Sequence, residues 1–188
     1  SFNAVSDKAR AVAGDATLPK SFWDWGEMIA NNEKGFFPYT PATNLLYGLA
    51  EAIELLHEEG LDNVFARHQR HGEATRRAVA AWGLENLITE PKVFSPVLTA
   101  VLMPEGHNAD EFRAIALDNF DISLGTGLSK VAGKVFRIGH LGDINDLTLV
   151  GALSGVEMSL GLAGVPHEKG GVQAAMDYLS QTAPARRT

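Results

Sequence analysis

Lys134-Val-Phe-Arg-Ile-Gly-His-Leu-Gly142 is the stretch on which the reading of this chain turns. It sets one fixed positive charge, Arg137, inside a short apolar run that ends in glycine, and such a run reads as a largely buried strand over 135–139. Arginine stays charged at any working pH, and a charge taken out of water is costly unless an anion meets it. Its planar fork suits a carboxylate or phosphate, gripped by two parallel hydrogen bonds. Arg137 therefore needs a partner. The residues alone leave two open: an internal Asp or Glu, or the anion of a ligand.

Upstream, Leu124-Gly-Thr-Gly127 is bare enough for backbone to approach a small molecule closely. Downstream, Gly139 and Gly142 flank His140 and turn the chain into a helix expected to start at Asp143. An anion on Arg137 would sit where two glycine-rich turns and a helix start converge. His140 either shapes that pocket or satisfies the turn, and the turn is the simpler role.

Phe136-Arg-Ile-Gly-His-Leu-Gly142 resembles the carboxylate-binding strand of the class V aminotransferases, in their serine–glyoxylate and alanine–glyoxylate branch. Phe37-Pro-Tyr-Thr-Pro-Ala-Thr-Asn-Leu-Leu-Tyr47 resembles the loop and helix start that reaches a neighbouring subunit's cofactor there. Phe2-Asn-Ala-Val-Ser-Asp-Lys8 is similar to the segment following the cofactor lysine, and the likeness runs in order to about residue 163.

The resemblance implies an α/β parent fold, the fold type I transferases, of which this chain would be the C-terminal portion. Residues 1–82 would end the large cofactor-binding domain, and residues 83–188 would form a small α+β domain. It implies pyridoxal 5'-phosphate as cofactor and amino transfer from a small amino acid to glyoxylate. Serine is favoured over alanine by the Tyr-Thr-Pro-Ala-Thr-Asn wording, and pyruvate stays open as another acceptor. Arg137 would clamp the substrate carboxylate. Thr40 would help bind the partner subunit's phosphate in a homodimer or higher homo-oligomer, with an interface near residues 36–47. A tyrosine often assists three places before that threonine. Here the position is Phe37, leaving Tyr39 or a water to make the contact. No catalytic residue is expected in this chain, because the cofactor lysine would precede residue 1. Lys8 matches the Ser-Asp-Lys string and not that lysine, while Lys130 and Lys134 flank a glycine-rich turn. The rival reading is a non-catalytic module for anion binding or dimerisation.

The 188 residues, 45% of them hydrophobic, allow a sizeable core, enough for one domain or parts of two. A net charge of -7 argues against nucleic-acid binding, which calls for a basic face. There is no apolar run of the roughly 18 residues a membrane span needs. Cysteine is absent, which removes disulfides, thiolate metal sites and the nucleophile of the related desulfurases. No signal peptide or initiating Met opens the chain, and Ala185-Arg-Arg-Thr188 does not match a peroxisomal Ser-Lys-Leu address, so a cytoplasmic location is expected. His68 and His71 share a helix face at a spacing that tempts a metal reading, but no Asp or Cys ligand stands at a suitable distance, and no metal is expected.

Along the chain, residues 4–14 read as a short helix ended by Gly14. Phe22-Trp-Asp-Trp25 lacks a basic patch and reads as packing rather than a base-stacking platform. Thr40 fits a helix N-cap with Pro41 at the first helical position, and Leu45, Leu49, Ile53 and Leu56 line that helix up to Gly60. A second helix runs from Asp62 to about Trp82, its Arg67, Arg70, Arg76 and Arg77 forming a solvated face balanced by Glu73. Beyond a boundary near 83–92 the order is strand (97–103), helix from Asn108, strands 120–124 and 135–139, then a long helix. Leu147, Val150, Leu153 and Leu160 are expected to face inward on that helix. A short helix over 172–181 and a disordered tail from Pro184 complete the pattern.

Overall fold

The computed structural model describes residues 2–184; the tail beyond Pro184, expected to be disordered, lies outside them. The chain divides into two compact units, Ser1–Leu55 and Leu56–Thr188, with the division inside a single helix.

The first unit opens with α1 (Asp7–Ala13), capped by the Ser6 hydroxyl, which accepts from the Ala9 N–H at 3.3 Å. A 3₁₀ turn at Ser21–Trp23 leads into α2 (Trp25–Asn32), a helix absent from the sequence reading. The Asp24 carboxylate caps it, accepting from the Gly26 N–H at 2.8 Å. The aromatics around this turn are not core: Trp23 is 75% exposed. α3 (Thr43–Glu59) begins later than its threonine suggested. The Thr43 N–H donates to the Pro41 carbonyl at 2.9 Å, a tight turn that redirects the chain after the proline. The Ala42 carbonyl then accepts the first helical bond, from Leu46 at 3.1 Å. Ala42, not Thr40, is the N-cap, and Pro41 stays outside the helix.

In the second unit, Gly60 at φ 82° separates α3 from α4 (Leu61–Ala81), and Gly83 at φ 74° follows it. Only glycine takes such angles without strain, so both helix ends were legible. The four-stranded antiparallel sheet runs in the order β1 (Glu85–Asn86), β2 (Leu98–Leu102), β4 (Val135–Gly139) and β3 (Gly125–Thr126). β1 is an edge strand the sequence reading lacked. α5 (Ala109–Phe120) is capped by Asn108, whose side-chain Oδ1 accepts from the N–H groups of Asp110 at 2.8 Å and Glu111 at 3.4 Å. The expected strand at 120–124 does not form. Phe120 still belongs to α5, Asp121 ends it in the left-handed region at φ 55°, and pairing starts only at Gly125. Asn145 rather than Asp143 caps α6 (Asp146–Leu162), and Leu147 points to solvent at 80% exposure. α7 (Gly171–Gln181) closes the unit.

Val101, Phe136 and Ile138 put one face of the sheet into a core shared with Phe112, Leu149, Leu153 and Leu160. Period-two alternation sends Arg137 and its partner Ala100 to the opposite face. α4 runs along α7 and also touches β1, β2 and α6, so it is a central helix rather than a solvated one. The Arg70 guanidinium donates to both oxygens of Asp146, at 2.6 and 2.8 Å, and to Thr182 at 2.9 Å, joining α4, α6 and the end of α7. Trp82 is fully buried and its Nε1–H donates to Glu157 at 2.7 Å. The same carboxylate accepts from the N–H groups of Gly170 and Val172, at 3.2 and 2.9 Å, and so fixes the start of α7.

Candidate functional site

Arg137 lies at the middle of β4, half-buried. Five consecutive pairs with β2 hold its backbone, and the turn beyond it is fastened by α4. His140 is fully buried there: a carbonyl can only accept, so its Nδ1–H donates to Pro96 O at 3.0 Å, and its Nε2 accepts from the Thr99 hydroxyl at 2.9 Å. Burial, which disfavours the charged ring, pushes its pKa down to about 4. Its ring edge rests on Gly72 of α4, where a Cβ would come within 3.1 Å of Cε1. His140 therefore serves the turn, not a pocket.

Gly142 sits at φ 105° and is gripped on both sides. Its N–H donates to His68 Nε2 at 3.1 Å, and its carbonyl accepts from Arg67 at 2.8 Å. Arg67 also reaches the Ile144 carbonyl at 3.1 Å and pairs with Glu59 at 2.7 Å. The His71 Nε2–H donates to Asp146 at 3.0 Å, and burial lowers the pKa of the ring. The histidines that tempted a metal reading are thus tied to backbone and to Asp146.

The flank of Arg137 is β3, with Gly125 directly across from it and Thr126 across from Phe136. Arg113 of α5 donates to the Leu124 carbonyl at 2.7 Å, and the Thr126 hydroxyl donates to Asp110 at 2.8 Å. That bond, with the Arg113 pair at 2.9 Å, holds the Asp110 carboxyl below its usual range. Gly127 is packed face to face with the next turn, since a Cβ there would lie 2.1 Å from the Val131 carbonyl oxygen. The glycines of this segment are bare for internal neighbours, a use the sequence reading had assigned to a ligand.

Among the described residues, the Arg137 side chain makes no ion pair and no hydrogen bond, and its Nε is a buried donor without a partner. Every other arginine of α4 and α5 is matched to an acid: Arg67 to Glu59, Arg70 to Asp146, Arg76 and Arg77 to Glu73, Arg113 to Asp110. An unpaired guanidinium on a rigid strand is equipped to take an anion by its fork. Lys130 and Lys134 are exposed near this turn.

In the first unit, Thr40 is exposed on the loop before α3, and no hydrogen bond engages its hydroxyl among the described residues. The ring of Tyr39 packs against Phe22 at 4.7 Å between centroids.

No family model matches the chain. Proteins of known name do. It is 48% identical, over 97% of its length, to a serine–glyoxylate aminotransferase of Methylorubrum extorquens, and 46% identical, over 96%, to one of Arabidopsis thaliana. The chain spans about half the length of these curated relatives, 47% and 45% respectively. Its fold superposes on the crystal structure of a ureidoglycine–glyoxylate aminotransferase from Bacillus subtilis with a TM-score of 0.84 at 28% identity, covering 93% of this chain and 46% of that one. Along nearly its whole length the chain is thus similar to part of the glyoxylate aminotransferases, and it has the fold of the corresponding portion of such an enzyme.

Proposed function

We propose that this chain is the C-terminal portion of an enzyme that moves an amino group from a small amino acid to glyoxylate, with Arg137 as the clamp on the substrate carboxylate. The unpaired Arg137 fork on a strand held at both ends is the observation that carries the reading. Amino donor and oxo-acid acceptor both bear a carboxylate beside the reacting carbon, so one clamp serves both half-reactions. Two parallel N–H···O bonds fix that carboxylate, and through it the direction of the bond to be broken at the neighbouring carbon.

Pyridoxal 5'-phosphate, when bound, supplies the electron sink for that carbon. The residues present suit it. Thr40 offers a hydroxyl with no internal partner, beside a helix start whose N–H groups favour a phosphate. Tyr39 is the second group proposed there. The lysine that carries the cofactor is assigned to polypeptide before residue 1. Residues 1–82 are read as the end of its large domain and 83–188 as the small domain; the sheet and all its strands follow residue 82.

Phe36, Phe37, Tyr39, Leu45 and Tyr47 are all exposed, which supports residues 36–47 as a subunit interface in a homodimer. Among the described residues no helix is long and apolar enough to cross a membrane. With a cysteine-free composition, the cytoplasm is the compartment proposed.

Serine is the proposed donor, in line with the two relatives of that name; the Bacillus protein's name carries a different donor with the same acceptor. A panel of serine, alanine, glyoxylate and pyruvate scored by keto-acid product decides donor and acceptor. For the clamp, Arg137→Ala in the complete enzyme should raise KM for donor and acceptor by about 100-fold and lower kcat as well. Unchanged kinetics would rule the assignment out.

A further inference from the structure

We infer that Gly125 is a positioning residue for Arg137: the bare backbone of β3 is the bed on which the guanidinium lies, and a side chain there turns the fork away from the carboxylate. This rests on the reading of Arg137 as the clamp and adds the residue that sets its direction.

Gly125 and Arg137 are cross-strand partners at the sheet edge. A Cβ built on Gly125 would lie 3.0 Å from Arg137 Cβ, 3.0 Å from Nε and 3.4 Å from Cζ. Three atoms along one side chain can be that close to one point only if the arginine folds over the strand instead of standing away from it. The same packing accounts for the buried, unpartnered Nε, which is covered by bare backbone and leaves the two terminal nitrogens to meet an anion in parallel.

A crowded pair is relieved by whichever side yields. β3 is held on both sides of Gly125, by Arg113 on the Leu124 carbonyl and by Asp110 on the Thr126 hydroxyl. Beyond it, Gly127 is pressed on the Val131 carbonyl and has no room to slide. The Arg137 backbone is paired through the whole of β4. What remains free is the arginine side chain past Cβ, with several rotatable bonds and no partner to hold it. A methyl group at 125 therefore shifts the fork, while its 3.0 Å approach to Arg137 Cβ, which no side-chain rotation relieves, is taken up by a local separation of β3 and β4 of a few tenths of an ångström. A misplaced clamp costs substrate grip and alignment together, because the reacting geometry tolerates little displacement.

The test is a double-mutant cycle in the complete enzyme loaded with cofactor, using Gly125→Ala, Arg137→Ala and the double variant. Three quantities are read: KM for donor and acceptor, the dissociation constant of propionate as an inert carboxylate, and Tm. Gly125→Ala is expected to raise both KM values and the propionate constant about tenfold, with Tm within about 2 °C of the parent. In the Arg137→Ala background the same change should add nothing, since a residue acting through another has no effect once that other is gone. Unaltered propionate binding in Gly125→Ala, with weakened binding in Arg137→Ala, would overturn the inference and leave the clamp standing. Unaltered binding in Arg137→Ala would overturn both. A collapse of Tm in Gly125→Ala, or a full additional loss in the double variant, would make the glycine structural and overturn the positioning role.

Discussion

The two compact units of this chain spend similar residues in opposite ways. From Leu56 onward, Trp82, Phe112, Phe136 and four leucines or isoleucines of similar size are buried almost completely in one cluster. In Ser1–Leu55 not one described residue is buried, although Phe22, Trp23, Phe36, Phe37, Leu45 and Tyr47 are there to be used. Apolar content alone does not make a core. The second unit has a sheet and four helices that face one another, whereas α1, α2 and α3 of the first present their apolar sides outward. An exposed apolar surface of this kind marks an interaction face.

The sharpest way to break this comparison is to separate the units. Residues 56–188 expressed alone should unfold in one cooperative step on heating, and residues 1–55 alone should show none. A cooperative transition in the shorter piece would overturn the contrast. Next in size is Gly171→Ala. A Cβ there would sit 2.2 Å from Nε1 of the buried Trp82, and neither ring nor helix start can withdraw, because Glu157 holds both. A loss of about 3 kcal/mol is expected in denaturant titration.

Acid should expose the same difference. His140 has a folded pKa of about 4 against an ordinary 6.5, so between those values the unfolded chain binds more protons than the folded one. Stability should therefore rise with pH across that window and fall as pH drops through it, by about 3 kcal/mol in full, with His71 pulling the same way. His140→Asn should flatten that limb of a Tm-against-pH curve, even if it lowers the plateau. The smallest effect is expected in the first unit. At Gly48 of α3 a Cβ meets nothing within 4 Å, so Gly48→Ala should stabilise by about 0.5–1 kcal/mol through helix propensity. If the complete protein is destabilised instead, that face of α3 is packed against a neighbour, which sharpens the contrast.

Much of the fold could be read from punctuation. Gly60 and Gly83 bound α4 because their positive φ favours glycine, Asn108 caps α5 through its side chain, and the glycine-ended apolar run at 135–139 is β4. The failures lie where two residues compete for one role. Thr40 and Ala42 both precede α3, and the turn after Pro41 selects Ala42. Asp143 and Asn145 can each cap α6, but the grip of Arg67 and His68 on Gly142 holds the chain out of helix until Asn145. Phe120 looks like a strand residue, yet Asp121 can take the left-handed conformation that ends α5 one residue later. Arg70 looked solvated because its acid lies far along the chain, Asp146 being 76 residues away, whereas Arg76 and Arg77 pair with Glu73 as their spacing suggests.

What the sequence determined by itself is local: the strand carrying Arg137, the glycine stops, and a charge that had to find an anion. Which anion was open, because ion pairing depends on neighbours distant in sequence. Only the tertiary structure left Arg137 without an acid among the described residues, and only the sheet register set Gly125 beneath it. Gly125 was visible as a bare residue from the start. Its neighbour was not, since cross-strand partners are chosen by pairing and packing, and no pattern along the chain records that choice.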